Sequence, residues 1–185
     1  MASLKKIGRR YEVPLTVVEG GSGIVSGILS ETDQKQIPVY AFVFSRHVLR
    51  TPAITPCKVG MVLRSPAGVM YVVGDNGPSE QRQGTLWQSF RLFVATDKVE
   101  WSRRTKMVDA VALVERDVGG PLPKIGDIWV TIEPLDREAP DYKAHASFEQ
   151  SRFITGQPVK ADDTLNGRKV IRSERMLGLY IGVLN

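Results

Sequence analysis

At 185 residues, 42% of them hydrophobic, the chain can bury one ordinary core or two small ones. No apolar run approaches the roughly 20 residues that cross a bilayer as a helix, and the basic start from Met1 to Arg10 leads to Glu12 and Pro14 rather than to an apolar secretory core. The net charge of +5 is moderately basic, and the lone cysteine, Cys57, excludes an intrachain disulfide and a cysteine-rich zinc site.

Val13 to Val18 reads as a short strand, broken by the glycine-rich stretch Glu19-Gly20-Gly21-Ser22-Gly23. That stretch lacks the Gly-Lys-Ser/Thr ending of a phosphate-binding loop and reads as a turn. Ile24 to Leu29 and Val39 to Phe44 are further strand candidates, and Cys57 reads as a small buried hydrophobe in a Pro-Cys-Lys-Val strand. Val59 to Arg64, the turn Ser65-Pro66-Ala67-Gly68, Val69 to Val73 and then Phe90 to Val94 form a strand, turn, strand, loop, strand pattern. The polar loop from Asp75 to Gln83 projects between its last two strands.

Thr105 to Asp117 has a helix-like apolar face but enough β-branched residues to be a strand, and Gly119-Gly120-Pro121-Leu122-Pro123 reads as a boundary. Asp127 to Glu133 alternates as a strand, and Ala144 to Ile154 does so more weakly. The pattern of the first half then repeats: Val159 to Leu165, the type I′ turn Asn166-Gly167, Arg168 to Arg172 and Leu179 to Leu184. The expected fold is mainly β, with one or two small β-barrel or β-sandwich modules and few helices, divided into residues 1–118 and 124–185 or fused as a single domain.

Reactive chemistry is sparse. His47 and His145 are the only histidines, no Gly-x-Ser-x-Gly elbow accompanies them, and no catalytic, cofactor-binding or metal-binding residue is assigned. His47 reads as a polar strand-end residue, and Asp162-Asp163 as an acidic pair starting the Asn166-Gly167 hairpin. Charge is uneven: Gln34 to Gly74 holds no acidic residue, whereas Asp109 to Asp141 is rich in them, as complementary surfaces would be. Three basic clusters, framed by no recognised nucleic-acid-binding motif, read as solvated surface or as phosphate contacts: Lys5, Lys6, Arg9 and Arg10; Arg103, Arg104 and Lys106 beside Trp101, which could stack on a base; and Arg168, Lys169, Arg172 and Arg175. Trp87 and Trp129 lie in apolar strand patterns and read as core or interface anchors.

The arrangement from Val59 to Val94, with its style echoed from Asn166 to Ile181, resembles the β-barrel signature of the head-completion and neck proteins of tailed bacteriophages, the stopper and adaptor class. The resemblance covers under half of the chain. It implies a non-enzymatic ring of identical subunits between portal and tail, around the channel that passes DNA. It further implies neighbouring connector or tail proteins as partners, non-specific DNA contact, no membrane, and a place in the virion after synthesis in the host cytoplasm. Small stoppers are shorter, so this length requires a duplicated module or added N-terminal strands. Under this reading Arg103, Arg104, Lys106, Arg168, Lys169, Arg172 and Arg175 are the candidates to face a polyanion, and Asp75, Asn76, Glu80 and Arg82 belong to a candidate docking loop. The same strands and basic clusters also permit a small-barrel nucleic-acid-binding module, while a hydrolase on a β scaffold lacks its nucleophile motif.

Overall fold

The computed structural model describes residues 12–31, 47–75, 80–82, 85–103, 106–109, 114–117, 122–134 and 150–185, with 80–82, 85, 106–109 and 114–117 described as backbone alone. The expected strand at Val39 to Phe44 and the basic N-terminal cluster lie outside them. Among the described residues every regular element is a strand, as the abundance of β-branched residues and of turn signals requires.

Six strands form a first barrel: β1 (Glu12–Glu19), β2 (Ile24–Glu31), β3 (His47–Pro52), β4 (Val62–Arg64), β5 (Met70–Asp75) and β7 (Thr85–Val94), with the short β6 (Glu80–Arg82) paired to the start of β7. The pairing runs β3-β2-β1-β4-β5-β7, and β7 returns to β3, so the ring closes. A second closed barrel has the order β11-β12-β15-β14-β13-β8. Its strands are β8 (Asp97–Ser102), β11 (Lys124–Pro134), β12 (Ser151–Thr155), β13 (Thr164–Leu165), β14 (Arg168–Met176) and β15 (Leu179–Leu184). A two-stranded arm, β9 (Lys106–Asp109) and β10 (Val114–Asp117), lies between β8 and β11 in the chain. Closure makes the modules barrels rather than sandwiches. It also leaves no edge along the paired lengths.

The barrels match in strand order and in the register of their core pairs, and differ by single-residue bulges, at Val18 in the first and at Ile125 and Ile171 in the second. Leu15 of β1 stands opposite Val25 of β2, as Val99 of β8 stands opposite Ile128 of β11. Leu29 opposes Leu49 of β3, as Ile132 opposes Phe153 of β12. Leu49 opposes Phe90 of β7, as Phe153 opposes Gly182 of β15, and Val73 of β5 opposes Leu92, as Val170 of β14 opposes Leu184. Leu63 of β4 faces both Val17 and Tyr71, as Leu165 of β13 faces both Trp101 and Arg168. Following these pairs around both rings brings the same residue back to the same partner. A slip of one residue at any strand would turn its core side chain outward, so six buried positions pin the register in each copy. They are Leu15, Val25, Leu49, Leu63, Val73 and Leu92 in the first, and Val99, Ile128, Phe153, Leu165, Val170 and Leu184 in the second.

The approach to each central hairpin repeats as well. Pro56-Cys57-Lys58-Val59-Gly60-Met61-Val62-Leu63 and Pro158-Val159-Lys160-Ala161-Asp162-Asp163-Thr164-Leu165 share proline, lysine and leucine at the same spacing. The amide of Cys57 donates to the Thr55 carbonyl and that of Val159 to the Gln157 carbonyl; the Gly60 amide reaches Val73 and the Asp162 amide reaches Val170. Gly60 and Asp162 hold the same left-handed backbone, with φ of 87° and 70°. These segments are turns rather than strands, which corrects the expectation for Cys57 and shortens the strand expected from Val159 to Leu165. In each copy a local amide bond, Cys57 to Thr55 or Val159 to Gln157, and a left-handed residue turn the chain before the strand begins at Val62 or Thr164.

Ala95 and Thr96 alone join the barrels, so the expected division between residues 118 and 124 is displaced. The Gly119 to Pro123 stretch lies between β10 and β11, two elements that both follow β8, while the real junction is short, paired and free of linker chemistry. The Thr96 amide donates to the Val130 carbonyl, Thr96 Oγ1 accepts from the Ile132 amide, and Thr131 Oγ1 donates to the Val94 carbonyl. Beside this junction, Val62, Met70, Val72, Phe93 and Ala95 of the first barrel pack on Ile154 and Leu179 of the second, with Trp129, Leu177 and Ile181 at the margin. Strands β4 and β5 and the end of β7 are therefore covered on both faces. That is why Val62-Leu63, Met70 to Val73 and Leu92-Phe93 read as unbroken apolar runs, the mark of a strand buried on both sides.

Candidate polyanion and docking surfaces

The Asp162-Asp163 pair divides its labour. Asp163 is only 2% exposed, and its carboxylate accepts from Arg103 Nε at 2.8 Å, Arg103 Nη2 at 2.9 Å, Trp101 Nε1 at 2.9 Å and the Lys160 amide at 2.8 Å. Arg103 also gives an Nη2 bond to the Pro158 carbonyl and lies over the Trp101 ring, 5.0 Å from its centroid. Burial works to raise the Asp163 pKa, but the Arg103, Lys160 and Trp101 bonds outweigh it and hold the carboxyl below the ordinary aspartate range. In the first barrel the same place holds Met61, whose Sδ accepts from the Lys58 amide. One copy fills this corner with a thioether, the other with an ion-paired clasp.

Two expectations change as a result. Trp101 is 6% exposed with its N–H spent on Asp163, so it offers no platform for a base. Arg103 finds its acidic partner within the chain. Arg104 lies outside the described residues, as does the side chain of Lys106.

The β14 group is arranged by a bulge. Val170 opposes Leu184 and Arg172 opposes Val183, so Ile171 is the extra residue between them. Without it Arg172, two residues beyond the buried Val170, would point inward; with it Arg172 joins Lys169 on the outer face. Lys169 Nζ pairs with Asp162 at 2.8 Å and Arg172 Nε with Glu174 at 3.4 Å. Arg168 reaches the Asn185 carbonyl at 3.4 Å and Ser151 Oγ at 3.3 Å, while Arg175 is exposed opposite Tyr180. Among the described residues, acids of the same barrel pair with Lys169 and Arg172.

The expected docking loop is partly ladder. Asp75 ends β5, and its amide donates to the Leu177 carbonyl of the second barrel, which ties the start of the loop to the junction. Glu80 and Arg82 belong to β6, opposite Trp87 and Thr85; Asn76 and the side chains of Glu80 and Arg82 lie outside the described residues. The Thr105 to Asp117 segment supplies two strands and no helix at its described positions.

His47 opens β3, as its strand-end reading anticipates, and its ring meets that of Tyr71 edge-on at 5.4 Å. His145 lies outside the described residues. Cys57 is buried in the first core, and burial pushes its thiol pKa up to about 12. Among the described residues no group of three or more His, Cys, Asp or Glu side chains could hold a metal ion, and no helix is long and apolar enough to cross a membrane.

Sequence reasoning missed the Asp163 clasp and one surface. The clasp joins residues about 60 positions apart, so local spacing could not reveal it. The surface is the turn after β3, where Ile54 stands 94% exposed beside Leu86, 48% exposed, with the Ala53 amide bonded to the Leu86 carbonyl. Comparisons with protein-family models, with curated proteins and with solved structures find no match for this chain.

Proposed function

We propose that this chain is a non-enzymatic structural component of the head-to-tail connector of a tailed bacteriophage, a ring subunit that links portal and tail around the DNA channel. The observation that carries the reading is the duplicated module. A duplicated module is one of the two ways in which the length of the chain fits the resemblance, and the two barrels agree in strand order and in the register of their core pairs. The hairpins that carried the resemblance fall at equivalent places, β4, β5 and β7 in one barrel and β13, β14 and β15 in the other. A junction of two residues with a shared apolar contact makes the pair a rigid block suited to building a wall. In this role the β14 cations face DNA or an acidic neighbour, and other copies around the ring complete the positive field. The alternative, a small-barrel nucleic-acid-binding module, has lost its Trp101 platform. Cross-linking mass spectrometry on purified tailed particles tests the reading: links from this chain to portal and tail proteins are expected, and its absence from the particle would refute it.

A further inference from the structure

Within one chain the barrels touch through surfaces that are not equivalent, a head-to-tail relation of the kind that repeats when like units assemble. The first barrel contributes Val59, Gly60 and Gly74, and the second contributes Gly156, Gly178 and Leu179. A Cβ placed on Gly156 would land on the Gly60 carbonyl oxygen, one on Gly178 would meet Val59, and one on Gly74 would lie 3.1 Å from Leu179 Cδ1. The matched register states which residues hold those places on the surfaces left over. On the first barrel, Pro52 stands where Gly156 does, Leu86 where Gly178 does and Trp87 where Leu179 does. On the second, Ala161 takes the place of Val59, Asp162 that of Gly60, and the bulge pair Ile171 and Arg172, opposite Val183, that of Gly74, opposite Arg91.

Apolar side chains stand exposed at both left-over surfaces. Beside Pro52 the chain carries two residues, Ala53 and Ile54, that the second barrel lacks, and Ile54 and Leu86 form the exposed pair of that turn. On the other surface the β14 bulge turns out Ile171, 45% exposed. We propose that these two surfaces mate between copies, the Ile54 and Leu86 surface of one chain seating on the Ala161 and Ile171 surface of the next, so that the contact inside each chain recurs between chains. This inference rests on the ring reading and names the faces that would build it. The surface between chains is the more polar one, with Asp162 and Lys169 where the first barrel has Gly60 and Val72, because it must meet water before assembly whereas the contact inside a chain never does.

The geometry selects its own test. A Cβ on Gly178 would lie 3.3 Å from Val59 Cβ, near the separation of about 3.5–4.5 Å that a disulfide needs, so Leu86→Cys on one copy should bond to Ala161→Cys on the next. Both are made in a Cys57→Val background, valine being the residue at the matching place, Val159. Oxidising a mixture of the two single variants should give the mixed dimer over either homodimer by about tenfold, and adding Ile54→Asp should slow it about tenfold, the worth of one interface residue. The double-cysteine chain should give a ladder of linked copies. Homodimers in excess, or no link while the wild type sediments as an oligomer, overturn the proposed faces and leave the ring reading standing. A protein that stays monomeric at every concentration and forms no link overturns both.

Discussion

Replacing Asp163 by alanine should destabilise the protein by about 3 kcal/mol. The Trp101 indole N–H and the Lys160 amide both lose their acceptor, and a buried donor left unpaired costs about 1–3 kcal/mol. Trp101 is nearly inaccessible to water, whereas the Arg103 side chain is a third exposed and can turn to solvent, so its share shrinks toward the roughly 0–1 kcal/mol of a surface pair. Urea unfolding should show a lower midpoint with an unchanged slope. The pH dependence sharpens the claim. Asp163 has a folded pKa below its unfolded value, so its contribution is complete above about pH 4 and is lost as pH falls through the folded pKa. Arg103→Met removes both guanidinium bonds and the charge beside the carboxylate, so burial is opposed by the Lys160 and Trp101 bonds alone and the folded pKa rises from its wild-type position. That variant should gain stability relative to wild type as the pH drops toward 4. A loss below about 0.5 kcal/mol for Asp163→Ala, or parallel pH profiles for wild type and Arg103→Met, would refute the clasp as a stabilising element.

Three further outcomes are expected. Gly156→Val should cost more than about 3 kcal/mol because its side chain meets the Gly60 backbone and forces the barrels apart, whereas Gly126→Ala, which opens onto free space, should stay within about 1 kcal/mol in the same denaturation assay. Arg168→Glu with Lys169→Glu should leave a folded monomer by circular dichroism but impair assembly, and the wild-type monomer should bind DNA weakly with a steep loss as salt rises; salt-insensitive tight binding would contradict the internal pairing of the β14 cations. Cys57 should resist a thiol reagent at neutral pH until denaturant is added, since the thiolate is the reactive form and burial suppresses it; prompt labelling of the folded protein would show that the first core is open.

What could be read from the sequence was what is local. Asn166-Gly167 forecasts a type I′ turn, and both residues have positive φ, 48° and 76°; Ser65 to Gly68 forecasts a longer turn, and Gly68 takes φ of 84°. Strand β11 lies where Asp127 to Glu133 alternates, and β1 and β2 lie where their apolar runs do. The junction at Ala95–Thr96 was hidden because a rigid connection needs no glycine or proline, whereas Gly119 to Pro123 has the composition of a linker without joining the barrels. The clasp was hidden because a carboxylate in a turn looks solvated until Trp101 and Arg103 arrive from a distant strand. The duplication was half visible in the hairpins, and the Pro-x-Lys-x-x-x-x-Leu spacing shared from Pro56 and from Pro158 is the sequence signal that aligns the two copies.

The proposed ring of duplicated barrels around DNA in a phage neck is tested most squarely by direct imaging of the particle. A reconstruction of the neck by electron cryomicroscopy should show a ring in which each copy contributes two matched six-stranded barrels, with the Leu86 surface of one chain against the Ala161 surface of the next. A neck fully accounted for by other chains, with this protein recovered only as a free monomer on nucleic acid, would contradict the account.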